Sequence, residues 1–117
     1  MKVLVTGSTT WQNGDTIRDA LDACAATVVI HGDCTGADAL AGAEARKLGI
    51  EVHMMEKKKQ DYEKYGRNAW MALNERMLEC GVQLVLAFHP DIQSSSGTKH
   101  MAELADAAGV PVNVFST

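Results

Sequence analysis

Short apolar runs alternate with amphipathic stretches along the whole chain. Val3-Leu4-Val5, Val28-Val29-Ile30, Ile50–Met54, Leu84–Phe88 and Pro111–Phe115 read as five strands. The first, second and fourth are continuous apolar runs without polar alternation, as expected of strands buried on both faces. Helical patterns lie between them. Ile17, Ala20, Leu21 and Cys24 recur at helical spacing over about 15–24, with Asp15 as the candidate N-cap and Asn13-Gly14 as the preceding turn. An alanine-rich helix runs from about Gly36 to Leu48 and stops at Gly49. A polar connection, 55–61, leads into a helix from Tyr62 or Gly66 to Cys80 that ends at Gly81. A loop from Pro90 to Ser96 precedes the last helix, Gly97 to Ala108, closed by Gly109.

Strand and helix alternate throughout, and the connections are long enough for right-handed crossovers between parallel strands. The expected fold is α/β, a three-layer sandwich around a mostly parallel sheet of about five strands. The pattern shows no repeat and no linker, so residues 1–117 are expected to form one domain. With strand order 3-2-1-4-5, the first and fourth strands flank the switch in strand order, where ligands bind outside the strand carboxyl ends. Gly7-Ser8-Thr9 would then lie beside Ser96-Gly97-Thr98.

Glycine-bearing loops follow several of the strands. Gly7 precedes Ser8, Thr9 and Thr10, whose hydroxyls suit phosphate oxygens; an ordinary tight strand-to-helix turn accounts for them equally well. The loop Gly32-Asp33-Cys34-Thr35-Gly36-Ala37-Asp38 carries an acidic residue near a helix start. Asp38 suits a capping box with Thr35, or a ribose hydroxyl; its charge there disfavours phosphate. Ser94, Ser95 and Ser96 precede Gly97-Thr98 at a helix N-terminus, an arrangement that forms an anion nest or a serine-capped loop. Small residues let backbone approach a ligand closely. Together these loops suggest a pocket for a phosphorylated, nucleotide-like molecule.

Composition narrows the choice. Hydrophobic residues make up 46% of the chain and the net charge is −4, which argues against general attraction to nucleic acid or anionic membrane. Lys57-Lys58-Lys59 is the one basic run and reads as a solvated loop. No stretch is long and apolar enough for a membrane helix, and no signal peptide is visible. Cys24, Cys34 and Cys80 lack CxxC spacing, which fits free thiols and a cytoplasmic location. His31, His53, His89 and His100 show no metal spacing, so neither metal nor cofactor is expected. His31 and His89 end strands near the proposed pocket. Trp11 and Tyr62 suit base stacking or ordinary packing. Trp70, Met71, Leu73, Met77 and Leu78 give the third helix more apolar surface than one stripe requires, which points to a homodimer through that helix.

In order along the chain, Val5-Thr6-Gly7-Ser8, His31-Gly32 with Gly36-Ala37-Asp38 and Ala41, Asp61-Tyr62 with Gly66 and Ala69, Asn74 and Met77, Ala87-Phe88, Gly97-Thr98 and Ala108–Val112 resemble the SLOG superfamily. That superfamily includes the lonely-guy and DprA/Smf proteins. The chain looks most like the YspA-type, cpYpsA-related branch. The resemblance implies a Rossmann-like fold and a pocket for a small nucleotide-derived ligand: a nucleoside monophosphate, an ADP-ribose-like molecule or a signalling nucleotide. By that resemblance Gly7, Ser8, Thr9, Ser96, Gly97 and Thr98 would contact phosphate. Gly32, Gly36 and Asp38 would hold the ribose side, and Asn74 would orient the ligand.

Lonely-guy relatives cleave nucleotide N-glycosidic bonds, and an enzyme of that kind here would need Asp38 or Glu103 as its acid. Several residues depart from the pattern. Thr9 and Leu73 stand where arginines are usual, Trp70-Met71 replace Gly-Pro, and Met101 occupies the usual glutamate position. Arg67 and Arg76 are the candidate replacements for the missing cations. Glycosidic cleavage needs a placed carboxylate and usually a cation on the phosphate, so binding ranks above hydrolysis. Sequestration of a signalling nucleotide is a further reading, and single-stranded DNA binding by analogy with DprA is disfavoured by the acidic balance.

Overall fold

A computed structural model describes residues 1–117. Five strands, β1 (Lys2–Gly7), β2 (Val28–His31), β3 (Glu51–Met54), β4 (Leu84–Phe88) and β5 (Val112–Phe115), pair in parallel in the order β3-β2-β1-β4-β5. The expected α/β sandwich and its strand order are therefore observed. Val3, Leu4 and Val5 are fully buried, which is why β1 takes the central place: its apolar residues need cover on both faces. Register pairs Val5 with His31 on one side and Leu86 on the other, so the loops after β1, β2 and β4 leave the same rim.

Helices α1 (Gly14–Ala23) and α2 (Ala37–Lys47) pack together on one face. Ile17, Leu21, Ala41 and Ala45 meet Val3, Val5, Val29 and Phe88 there. On the other face, α4 (Ala69–Leu78) and α5 (Gly97–Ala107) bring Leu73, Met77, Met101 and Ala105 onto Leu4, Ile30 and Val85. A short helix, α3 (Lys59–Tyr65), lies against α4. No helix is long and apolar enough to cross a membrane.

Some local expectations change. The single helix expected up to Cys80 is two, separated by a 3-10 turn at Gly66–Asn68. The Asp61 carboxylate accepts the Lys58 N–H at 2.8 Å, which starts α3 inside the stretch read as a polar connection. At Gly66 the backbone turns left-handed (φ 60°) and ends it. Asn13, not Asp15, caps α1, by accepting the Thr16 N–H at 3.2 Å. Of the apolar excess on the third predicted helix, Leu73 and Met77 are spent in the core, and Trp70 lies edge-on to His100 at 5.3 Å.

Candidate functional site

A cavity of about 210 Å³ opens where the chain leaves β1, β2 and β4. Thr6, Gly7, Ser8 and Thr9 bring it the end of β1; Gly32, Asp33, Cys34 and Asp38 bring the β2–α2 loop and the start of α2. Its third side is α4, through Trp70, Leu73, Asn74 and Met77, and its fourth is His89 with Ser95, Gly97 and Thr98. Lys57, from the loop after β3, completes the rim.

Two glycines let these loops meet. A side chain at Gly7 would collide with the Phe88 carbonyl and Ala37. One at Gly36, where φ is 71°, would collide with the backbone of Ser8 and Thr9. The same seam is tied by the Ala37 N–H donating to the Ser8 carbonyl at 3.0 Å, and by the Thr35 hydroxyl donating to the Thr9 carbonyl at 3.0 Å. Thr35 is thus committed across the seam rather than to capping α2, and no side chain caps that helix.

Asp38 is 9% exposed, and its Oδ2 accepts the Cys34 N–H at 3.3 Å. Burial pushes its carboxyl up to about 6; the Asp33 charge adds to this and the Cys34 N–H opposes it. The Cys34 thiol beside it is also raised, by burial first and then by the charge of Asp38, so it is held as a thiol rather than activated. Asn74 donates its Nδ2 to the Gly97 carbonyl at 3.2 Å and faces His100 Nδ1 at 3.1 Å. Its Oδ1 has no partner within the chain. Thr98 is 3% exposed and gives its backbone N–H to Ser95 Oγ at 3.1 Å. Its hydroxyl, like that of Thr6, is unpartnered and belongs to the cavity wall. The Asp91 N–H donates to His89 Nδ1 at 2.9 Å, which leaves Nε2 as the ring donor.

Of the candidate ligand residues, Gly7, Ser8, Thr9, Gly32, Asp38, Asn74, Gly97 and Thr98 converge on this one cavity. Within it, Ser8 is partly committed: its N–H goes to the Phe88 carbonyl at 2.8 Å, and its hydroxyl faces Thr10 at 2.9 Å. Gly36 lies behind the wall, in the seam. Ser96 and Glu103 are exposed and border an adjoining, more open depression with Lys99 and His100, divided from the cavity by Trp70 and Ser95. His31 turns away from the cavity toward Gly42 of α2, and its buried Nε2 has no partner. Trp11 is buried 5.7 Å from Phe88, and Tyr62 stands exposed outside the cavity.

The cations fall differently from expectation. Arg76 is locked to buried Asp61, with Nε to Oδ1 at 2.9 Å, and donates to the Glu56 carbonyl at 3.0 Å. Arg67 is exposed and lines no part of the cavity. Lys57, read as part of a solvated run, is the one Lys or Arg on the wall, and its Nζ pairs with Asp33 Oδ1 at 2.7 Å. Sequence reasoning also missed Trp70, Leu73 and Met77 as cavity wall, because a helical apolar pattern signals core before it signals a site.

An all-parallel, doubly wound sheet with a polar cleft at its switch point defines a Rossmann-like α/β protein with an open site at the strand carboxyl ends. Residues 1–62 match the model of the YspA, cpYpsA-related SLOG family. The chain is also 35% identical over 122 residues to the Gene 61 protein of Mycobacterium phage D29, covering 97% of this chain and 95% of that protein. The chain belongs to the YspA, cpYpsA-related SLOG family.

Proposed function

We propose that the cleft binds a phosphorylated, nucleotide-derived small molecule. The observation that carries this is the convergence on one cavity, from four separate elements, of the polar side chains of Thr6, Asp38, Asn74 and Thr98, residues that are otherwise buried but whose free oxygens open onto the cleft. Groups held this way face the cleft ready to bond, and a ligand rich in hydroxyl and phosphate oxygens would engage them in place of water. In this reading Asp38 and Asn74 Oδ1 accept sugar or base hydrogens. The Thr98 hydroxyl and the free N–H at the start of α5 donate to phosphate, with Thr9 and Ser8 at the rim and Gly32 allowing close approach. Gly36, Ser96 and Glu103 have no contact in this scheme because they lie outside the cavity. Three free cysteines suit a cytoplasmic setting, and a second copy of the chain would use what remains exposed of α4, which light scattering would reveal.

Calorimetry with nucleosides, nucleoside monophosphates, ADP-ribose and cyclic nucleotides tests the reading. Binding to at least one, weakened tenfold or more by Thr98→Val, is expected. Silence across the whole set at millimolar concentration removes the reading.

A second reading, an N-glycosidase, is favoured by one observation: the raised Asp38 carboxyl is suited to hold a proton near neutral pH and deliver it to a leaving base. Release of free base from a bound nucleotide, abolished by Asp38→Asn, is its signature. Intact ligand recovered after denaturation supports binding or sequestration instead.

A further inference from the structure

The cavity's charges are few and arranged unevenly. Two carboxylates, Asp33 and Asp38, line it against a single ammonium, Lys57. Lys57 is held to Asp33 twice. Its backbone N–H donates to Asp33 Oδ2 at 3.1 Å and its Nζ to Oδ1 at 2.7 Å. That double contact joins the loop after β3 to the loop after β2 across one rim of the cleft. The two side chains are 27% and 24% exposed, but Asp33 is an exposed residue, so the pair sits at the rim of the cleft, partly shielded and open to an incoming ligand. The ammonium has three N–H donors, and Asp33 engages one of them.

We propose that Lys57 is the residue by which this cleft recognises a phosphate, and that Asp33 rations it, so that the site accepts one phosphate and rejects chains of them. The proposal rests on the nucleotide-binding reading and adds its specificity. Lys57 can turn its remaining donors to a single phosphate without abandoning Asp33. Charge-assisted bonds of this kind are the strong ones in a partly desolvated site. Inside the cavity a second or third phosphate finds no further lysine or arginine: Arg76 is committed to Asp61, and Lys99 lies beyond Ser95 in the adjoining depression. It would meet Asp33 and Asp38 instead, and like charges inside a low-dielectric cleft repel strongly.

The test is calorimetry in magnesium-free buffer with a nucleoside and its 5′-mono-, di- and triphosphates, for each common base, on the wild type, Lys57→Met and Asp33→Asn. In the wild type the monophosphate is expected to bind about tenfold or more tighter than both the nucleoside and the triphosphate. Lys57→Met should remove most of the monophosphate's advantage over the nucleoside, the share left to Thr98 and the start of α5 remaining, and leave the nucleoside within about twofold of wild type. Asp33→Asn keeps an oxygen for the Lys57 N–H but removes the competing charge; it should tighten monophosphate binding and narrow the gap to the triphosphate. Circular dichroism melts establish that each variant is folded. A triphosphate that binds as tightly as the monophosphate overturns the proposal, and so does a monophosphate preference undiminished by Lys57→Met. In both cases nucleotide binding itself stands. Absence of binding by every member of the series removes the underlying reading, and this one with it.

Discussion

Two buried aspartates stand on opposite sides of the α4 helix's role, and they are used in contrary ways. Asp61, 1% exposed, accepts from Arg76 through both oxygens and from the Lys58 N–H as well. The Arg76 guanidinium holds its carboxyl below the usual range in spite of burial. Asp38, 9% exposed, is paired to no cation, since Lys57 is held by Asp33, and takes the Cys34 N–H at a long 3.3 Å; burial drives it up to about 6. The first carboxylate is satisfied by the fold and ties α3 to α4. The second is left under-satisfied at the wall of a cleft. Perturbed groups of the second kind gather at functional sites, whereas structural ion pairs account for many of the first.

The difference sets opposite pH slopes. Asp61 has a depressed folded pKa, so its contribution is present above the unfolded value and is lost as pH falls through the folded one. Asp38 has a raised folded pKa. Its contribution is full below the unfolded value of 3.8 and is lost as pH rises through about 6.

The most damaging way to break the comparison is Asp61→Ala, which strands Arg76 without its partner. A loss of about 3–5 kcal/mol in chemical denaturation is expected, and a loss below about 1 kcal/mol would mean that the pair does not hold α3 in place. Asp38→Asn should do the reverse. At pH 7 it should stabilise the fold by up to about 3 kcal/mol, with the gain growing between pH 4 and 6, flat above 6, and gone below pH 4; ligand affinity should fall at the same time. A variant that is less stable at pH 7 would show that the Asp38 charge is not a burden to the fold. The smallest effect sharpens the contrast. Lys64 pairs with Glu75 at 2.9 Å between the same two helices, but in the open, so Lys64→Met should leave the denaturation midpoint unchanged.

Much of the molecule was legible in its sequence because buried parallel strands are continuous apolar runs, and this chain has clear ones at Val3–Val5 and Leu84–Phe88. The alternation of elements suits the order 3-2-1-4-5 without fixing it; given that order, Gly7-Ser8-Thr9 falls beside Ser96-Gly97-Thr98, and of these all but Ser96 line the cleft. What stayed hidden depends on rotation and reach. Glu103 is five residues beyond Thr98, about 140° around the helix, so it faces water while Met101 and Ala105 share the buried face. Ser96 precedes the helix and turns outward, while Ser95 accepts the Thr98 N–H. Lys57 was masked by its neighbours: three consecutive lysines look like solvent-facing charge, and only the position of Asp33, 24 residues earlier, draws one of them inward. Gly66 was legible as one possible helix start, but the separate short helix before it was not, because Lys59–Tyr65 carries no apolar stripe.

Leu73 and Met77 belong to two places at once, the apolar layer beneath α4 and the floor of the cleft. A guest seated there would lean on the same side chains that keep the helix attached to the sheet. Occupancy would then be felt well beyond the groups it touches, as slower opening of α4 and Leu4's neighbourhood in amide exchange, and the protein would carry a record of its guest in its own rigidity.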